Sequence, residues 1–209
     1  MLQTTIENLK NALAKVAPRI VDLSLNKGAS DADILRLEEC IGKKLPDDLK
    51  ALYLSINGNN DEDNFGNFFH GLVFNSVDEV INDWKFRKKI STETDTVIRL
   101  KHFDPQIDGS NFYNLNWLRI ADDGSRNGLY IDLGPSTSGT YGQVIFLEGT
   151  EDICVLVADS TEKLLELFIS DLDNGQYFLA SDALEDGNHW LETNNNADLF
   201  SKAYALKKG

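Results

Sequence analysis

The chain has 209 residues, 42% of them apolar and 26% charged, with a formal charge of −14 and a pI near 4.5. Those values exclude a disordered chain and suffice for one buried core. A surface this acidic repels phosphate backbones and anionic lipid, so it argues against binding nucleic acid or membrane and for a basic protein partner.

Ile6, Leu9, Leu13 and Val16 recur at helical spacing with lysines between them, which predicts a first helix ending near Ala17-Pro18. The stretch has no uninterrupted apolar core, so it reads as neither a signal peptide nor a membrane span, and we expect a cytoplasmic protein. An apolar continuation at 20–25 stops at Asn26-Lys27-Gly28. Ser30 with Asp33 starts a second helix whose face is Ile34, Leu37 and Ile41, and Gly42 closes it. Leu45-Pro46-Asp47-Asp48 opens a third, with proline at its first position and Leu49, Leu52, Tyr53 and Ile56 inward. Asn57-Gly58 is expected to end it.

A polar loop at 59–67 leads to a short strand at 72–74. Ser76 with Glu79 is a capping box for a helix that buries Val77, Val80, Ile81 and Trp84, and the basic run Lys85, Arg87, Lys88 and Lys89 suits its C-terminal end. The pattern is weak from 98 to 116. Strands are then predicted at 117–121, 129–133, 143–147 and 154–158, joined by short turns as in an antiparallel meander. Ser160 caps a helix carrying Leu164, Leu165, Phe168 and Leu172 that ends at Asn174-Gly175, and one or two further helices follow. We therefore expect an α+β fold with a single antiparallel sheet flanked by helices. Its divisions are an N-terminal helical segment (1–29), the α+β domain (30–175) and a C-terminal helical extension packed on it (176–209).

No catalytic, cofactor or metal site emerges. The stretch DDGSRNGLYIDL places Asp123, Ser125, Asn127 and Gly128 where a calcium loop has its first, third, fifth and sixth positions. The twelfth is Gly134 instead of a carboxylate, and the residues after Gly128 alternate like a strand. A polar turn feeding a strand is the better reading. His70, His102 and His189 have no partner at ligand spacing and are expected on the surface or in loops. Cys40 and Cys154 sit in apolar patterns and read as two buried thiols, without excluding a pairing. Trp84 and Trp117 read as core. Acids crowd residues 151–198, where Lys163 is the single Lys or Arg.

The segment Leu37-Glu38-Glu39-Cys40-Ile41-Gly42-Lys43-Lys44-Leu45-Pro46-Asp47-Asp48, closing at Asn57-Gly58, resembles the opening motif of the SUKH superfamily, the Smi/Knr group. Trp117-Leu118-Arg119-Ile120-Ala121-Asp122-Asp123-Gly124, Leu129 to Leu133, Pro135, Gly139, Gly142-Gln143 and Ala158-Asp159-Ser160 follow in that family's order. Ser125-Arg126-Asn127-Gly128 departs from it, since many members carry a glycine and a small polar or acidic residue directly before the strand. The resemblance implies a helix-flanked α+β fold and a protein-binding role without catalysis. Its first form is an immunity protein that neutralises a basic toxin such as a nuclease; the alternative is a regulatory scaffold related to cell-wall and glucan-synthesis regulators. Asp122, Asp123 and Arg126 on the turn, Asp132 on the strand, and Glu151 and Asp152 on the next loop are the candidate partner-binding residues.

Overall fold

The computed structural model describes residues 2–93, 97–194 and 197–208. Helix α1 (Leu2–Val16) runs into a single π turn at Ile20–Ser24 and strand β1 (Leu25–Lys27), followed by α2 (Asp31–Ile41), α3 (Asp47–Ser55), β2 (Ile56–Asn59), β3 (Val73–Phe74) and α4 (Val77–Glu93). Five strands come next, β4 (His102–Phe103), β5 (Trp117–Asp122), β6 (Gly128–Asp132), β7 (Gln143–Glu148) and β8 (Ile153–Ala158). Then come α5 (Thr161–Asp173), β9 (Tyr177–Leu179), α6 (Ser181–Glu185), β10 (Leu191–Thr193) and α7 (Leu199–Lys208).

Local chemistry sets most of these boundaries. Ser30 and Asp33 form a reciprocal capping box at the start of α2, and Gly42 ends that helix in the left-handed region at φ 70°. Ser160 accepts the Lys163 N–H at the start of α5. Pro46 occupies the cap position of α3 and not its first turn. Asn57-Gly58 does not merely stop that helix. It lies within β2, where the Asn57 carboxamide oxygen accepts the Val77 N–H and so caps α4. Gly58 sits at φ 81°, and a β-carbon there would lie 2.4 Å from the Ser76 nitrogen, so only glycine lets the two chains meet.

The main sheet has the order β3-β5-β6-β7-β8-β4. Strands β5 to β8 form the expected antiparallel meander, but β4 joins its edge in parallel with β8, pairing His102 with Ile153. The sheet is therefore mixed. Two small ribbons, β1 with β2 and β9 with β10, lie outside it, so the tail is not helical alone.

Helices pack against one face of the sheet, and an irregular segment covers the other. Leu118, Ile120, Leu129, Ile131, Val144, Phe146 and Val155 point into the main core with α1 to α5. Trp117, Tyr130, Ile145, Leu147 and Cys154 point the other way, against Leu100, Ile107 and Phe112 of the irregular 98–116 segment. Burial on both sides explains why β6 and β7 are buried at every residue. Trp84 and Trp117 are both core. Cys154 is buried, Cys40 only half-buried against the main core, and both are free.

Candidate protein-docking surface

The turn from β5 to β6 is built by its own side chains. The Asp122 carboxylate accepts the Gly124 N–H at 2.8 Å. Asp123 accepts the Ser125 N–H and hydroxyl at 2.9 and 2.6 Å and the Asn127 carboxamide at 2.8 Å. Gly124 takes φ 77°, and the Arg119 guanidinium fills the turn by donating to the Asn127 carbonyl at 2.9 Å. Partial burial pushes the Asp123 carboxyl up, but the hydrogen bonds from Ser125 and Asn127 outweigh it and leave it below the usual carboxylate range. Asp123 is ionised near neutral pH, with no ion pair among the described residues.

Five of the six candidate residues share one end of the sheet. Asp122 pairs with Gly128, Gly128 with Leu147 and Glu148 with Ile153, so the β5–β6 and β7–β8 turns lie side by side. Asp152, in the left-handed region at φ 57°, takes Lys101 at 2.9 Å and Arg126 at 3.7 Å. Arg126 also stacks on Phe112, and Glu151 holds Lys207 of α7 at 2.8 Å. Asp132 lies at the other end of the sheet with no exposed surface. It accepts the Gly134 N–H and the Gln143 carboxamide, both at 2.9 Å, and burial raises its pKa despite these bonds. It shapes a loop and presents nothing to a surface partner.

Beside the Asp122-Asp123 turn runs a groove of about 240 Å³ lined by Asp61, Phe65, Val73, Asp122, Asp123 and Trp190. Phe65 is 66% exposed, unusual for so large an apolar side chain. The groove's far wall is pinned across a long stretch of sequence. Asn64 accepts the His189 N–H at 2.7 Å and donates to its carbonyl at 3.0 Å, while Asn188 accepts the Phe65 N–H at 3.0 Å. A β-carbon on Gly66 would lie 2.2 Å from the His189 carbonyl, so glycine lets the tail approach. Sequence reasoning missed Asp61, Phe65 and Trp190. The available signal was an aromatic residue inside the acidic, glycine-bearing loop DEDNFGN.

His70 lies in a turn, one of its two expected settings, but not on the surface. It is 8% exposed, hydrogen-bonds the Tyr177 hydroxyl at 2.9 Å, and packs on the Phe168 ring with 4.6 Å between centroids. Burial, reinforced by Lys202, pushes its pKa down to about 3, so it is neutral at physiological pH. His102 and His189 are half-buried. Among the described residues no group of three His, Cys, Asp or Glu side chains could hold a metal ion, and no helix is long and apolar enough to cross a membrane.

The residues behind the resemblance are largely scaffold. Glu38 accepts the Leu45 N–H at 2.9 Å, Lys43 donates to the Leu133 carbonyl at 2.6 Å, and the Tyr141 hydroxyl donates to the Lys44 carbonyl at 2.5 Å. A β-carbon on Gly142, at φ 87°, would lie 2.6 Å from Pro46, so the two quoted segments form one joint. The fold is thus a helix-flanked α+β domain in which the two segments that carry the resemblance meet, as a SUKH-type module requires of them. The chain belongs to the SMI1 / KNR4 family (SUKH-1), whose model matches residues 28–167. It is similar to a cell wall biosynthesis/cell cycle regulator of Schizosaccharomyces pombe, 25% identical over 167 residues that cover 74% of this chain and 33% of that protein. It also resembles a glucan synthesis regulatory protein of Neurospora crassa, 23% identical over 205 residues (80% and 38%). A KNR4/SMI1 homolog of Debaryomyces hansenii is 30% identical over 118 residues (56% and 24%). The matched part of the chain thus spans 24% to 38% of the length of these relatives.

Proposed function

We propose that the chain is a non-catalytic protein-binding module of the regulatory kind its relatives' names describe, and that its groove holds a basic segment of a protein partner. One observation carries this reading: exposed Phe65 and half-buried Trp190 flank the carboxylates of Asp61, Asp122 and Asp123 on a surface of formal charge −14. The acids draw in and pair with lysine or arginine, and the rings bury its stem and stack on its charge. Wall-related growth control, named for the relatives, is the process this reading favours.

The acid-rich 151–198 region, with Lys163 its single Lys or Arg, supports a second reading in which the partner is a basic toxin domain and the chain an immunity protein in the cytoplasm. A pull-down with tagged protein at low salt, released by high salt and analysed by mass spectrometry, tests both. The groove is supported by a basic partner that Phe65→Ala and Asp61→Asn each lose, and the partner's own domain type separates regulator from immunity protein. Capture untouched by both substitutions sinks the groove, and capture indifferent to salt sinks the electrostatic basis.

A further inference from the structure

The chain has Asn-Gly pairs at Asn57-Gly58, Asn127-Gly128 and Asn174-Gly175. This dipeptide carries its own chemistry, because the glycine amide nitrogen, unshielded by a β-carbon, can attack the carboxamide carbon of the asparagine before it. A carbon–nitrogen bond closes a succinimide ring, the carboxamide carbon–nitrogen bond breaks, and the amino group leaves as ammonia with the glycine N–H proton. Water then opens the ring at one carbonyl or the other, leaving aspartate or isoaspartate. Only water enters from outside.

The fold treats the three pairs differently. Asn127 is 9% exposed, and its carboxamide is held at both ends, donating to Asp123 at 2.8 Å and accepting the Gly149 N–H at 2.8 Å. The Asn57 carboxamide oxygen is engaged as the cap of α4, accepting the Val77 N–H at 2.9 Å. The glycines of these two pairs are also crowded. A β-carbon would lie 2.4 Å from the Ser76 nitrogen at Gly58 and 2.6 Å from the Ala121 carbonyl at Gly128, so neither has room for a ring to close. Asn174 and Gly175 are both exposed at the end of α5, and a β-carbon on Gly175 would meet nothing within 4 Å. Among the described residues the Asn174 carboxamide makes one hydrogen bond, a 3.3 Å donation to the Ser170 hydroxyl, and the Gly175 N–H is held by the Leu172 carbonyl at 3.1 Å, in the last turn of the helix where hydrogen bonds open most easily.

We propose that Asn174 is a self-modification site, converting to aspartate and isoaspartate while Asn57 and Asn127 are protected by the fold. Either product places a new carboxylate at the negative end of α5, directly after Asp173, and isoaspartate adds a methylene to the backbone that leads into β9. The test is to incubate the intact chain in mildly alkaline buffer, with and without urea, digest samples at acid pH, and follow each Asn-Gly peptide by mass spectrometry for the exchange of an amino group for a hydroxyl. In the folded chain Asn174 should convert at least about tenfold faster than Asn57 or Asn127, because opening a helix end costs less than opening paired strands, and the three rates should converge in urea. Similar rates for all three in the folded chain, or an Asn174 that converts only in urea, overturn the proposal without any variant having to fold. Asn174→Gln, whose longer side chain must close a larger ring, should lose the conversion, with Asn57 and Asn127 still protected as the sign that this variant is folded. The same mass change persisting in that peptide overturns the proposal, because the modified residue would then be another one.

Discussion

Glu38 shows how one buried charge can hold a joint together. Its carboxylate takes the Leu45 N–H together with Lys44 at 2.5 Å and Lys50 at 3.2 Å. Burial alone would raise its pKa, but those three donors outweigh it and bring the carboxyl from 4.5 down to about 2. Because the folded value lies below the unfolded one, Glu38 adds its stability above about pH 4.5 and loses it as pH falls towards 2. Glu38→Gln should therefore lower stability at neutral pH by about 1–3 kcal/mol and flatten that acid limb, as read by urea unfolding across pH. An unchanged pH profile would rule the assignment out. The sequence quoted Glu38 and Glu39 together without separating them. Helical phase does so, burying the first and exposing the second. The burial of His70 escaped for a related reason: it sits on a turn beneath Phe168 and Tyr177, and turns carry no periodicity to reveal which side chains face inward.

At the scale of elements, α4 separates what the sequence joined. The basic run suits a helix terminus, yet Arg87 turns inward, pairs with Asp83 at 2.7 Å and donates to the carbonyls of Asn114 and Trp117 at 2.9 and 2.5 Å. It ties the helix to the start of β5. Arg87→Met should cost about 3 kcal/mol by leaving Asp83 and two carbonyls poorly paired, whereas Lys89→Met, on the exposed side, should stay within about 0.5 kcal/mol. Thermal unfolding of the two variants side by side measures the contrast; equal effects would show that Arg87 is only a surface charge. Capping boxes and apolar spacing made the long helices and the meander legible in the sequence. Strand β4 was not, because two residues carry no alternation and its segment is held by polar contacts, including the Asp104 carboxylate accepting the Leu156 N–H at 2.7 Å. The β9–β10 ribbon, three residues a side, escaped for the same reason.

For the whole molecule, the charge was readable from composition, but the groove that gives it direction was not. Three stretches far apart in sequence, around Asp61 to Phe65, Asp122-Asp123 and Trp190, meet only in the fold, and the last lies beyond the matched residues 28–167. If the net charge steers a basic partner, its association rate constant should fall about tenfold or more from low to physiological ionic strength while dissociation changes little. Stopped-flow mixing with the captured partner reads both rates, and a salt-independent association rate would remove steering from the account.

Both outer strands of the main sheet, β3 and β4, are only two residues long. Crowded chains find little unpaired backbone there to copy, so the sheet is a poor seed for the edge-to-edge stacking that drives aggregation. A partner gains as little from extending it. Selectivity is then left to side chains such as Phe65 and Trp190, which can be exchanged without disturbing the backbone pairing that sets the fold.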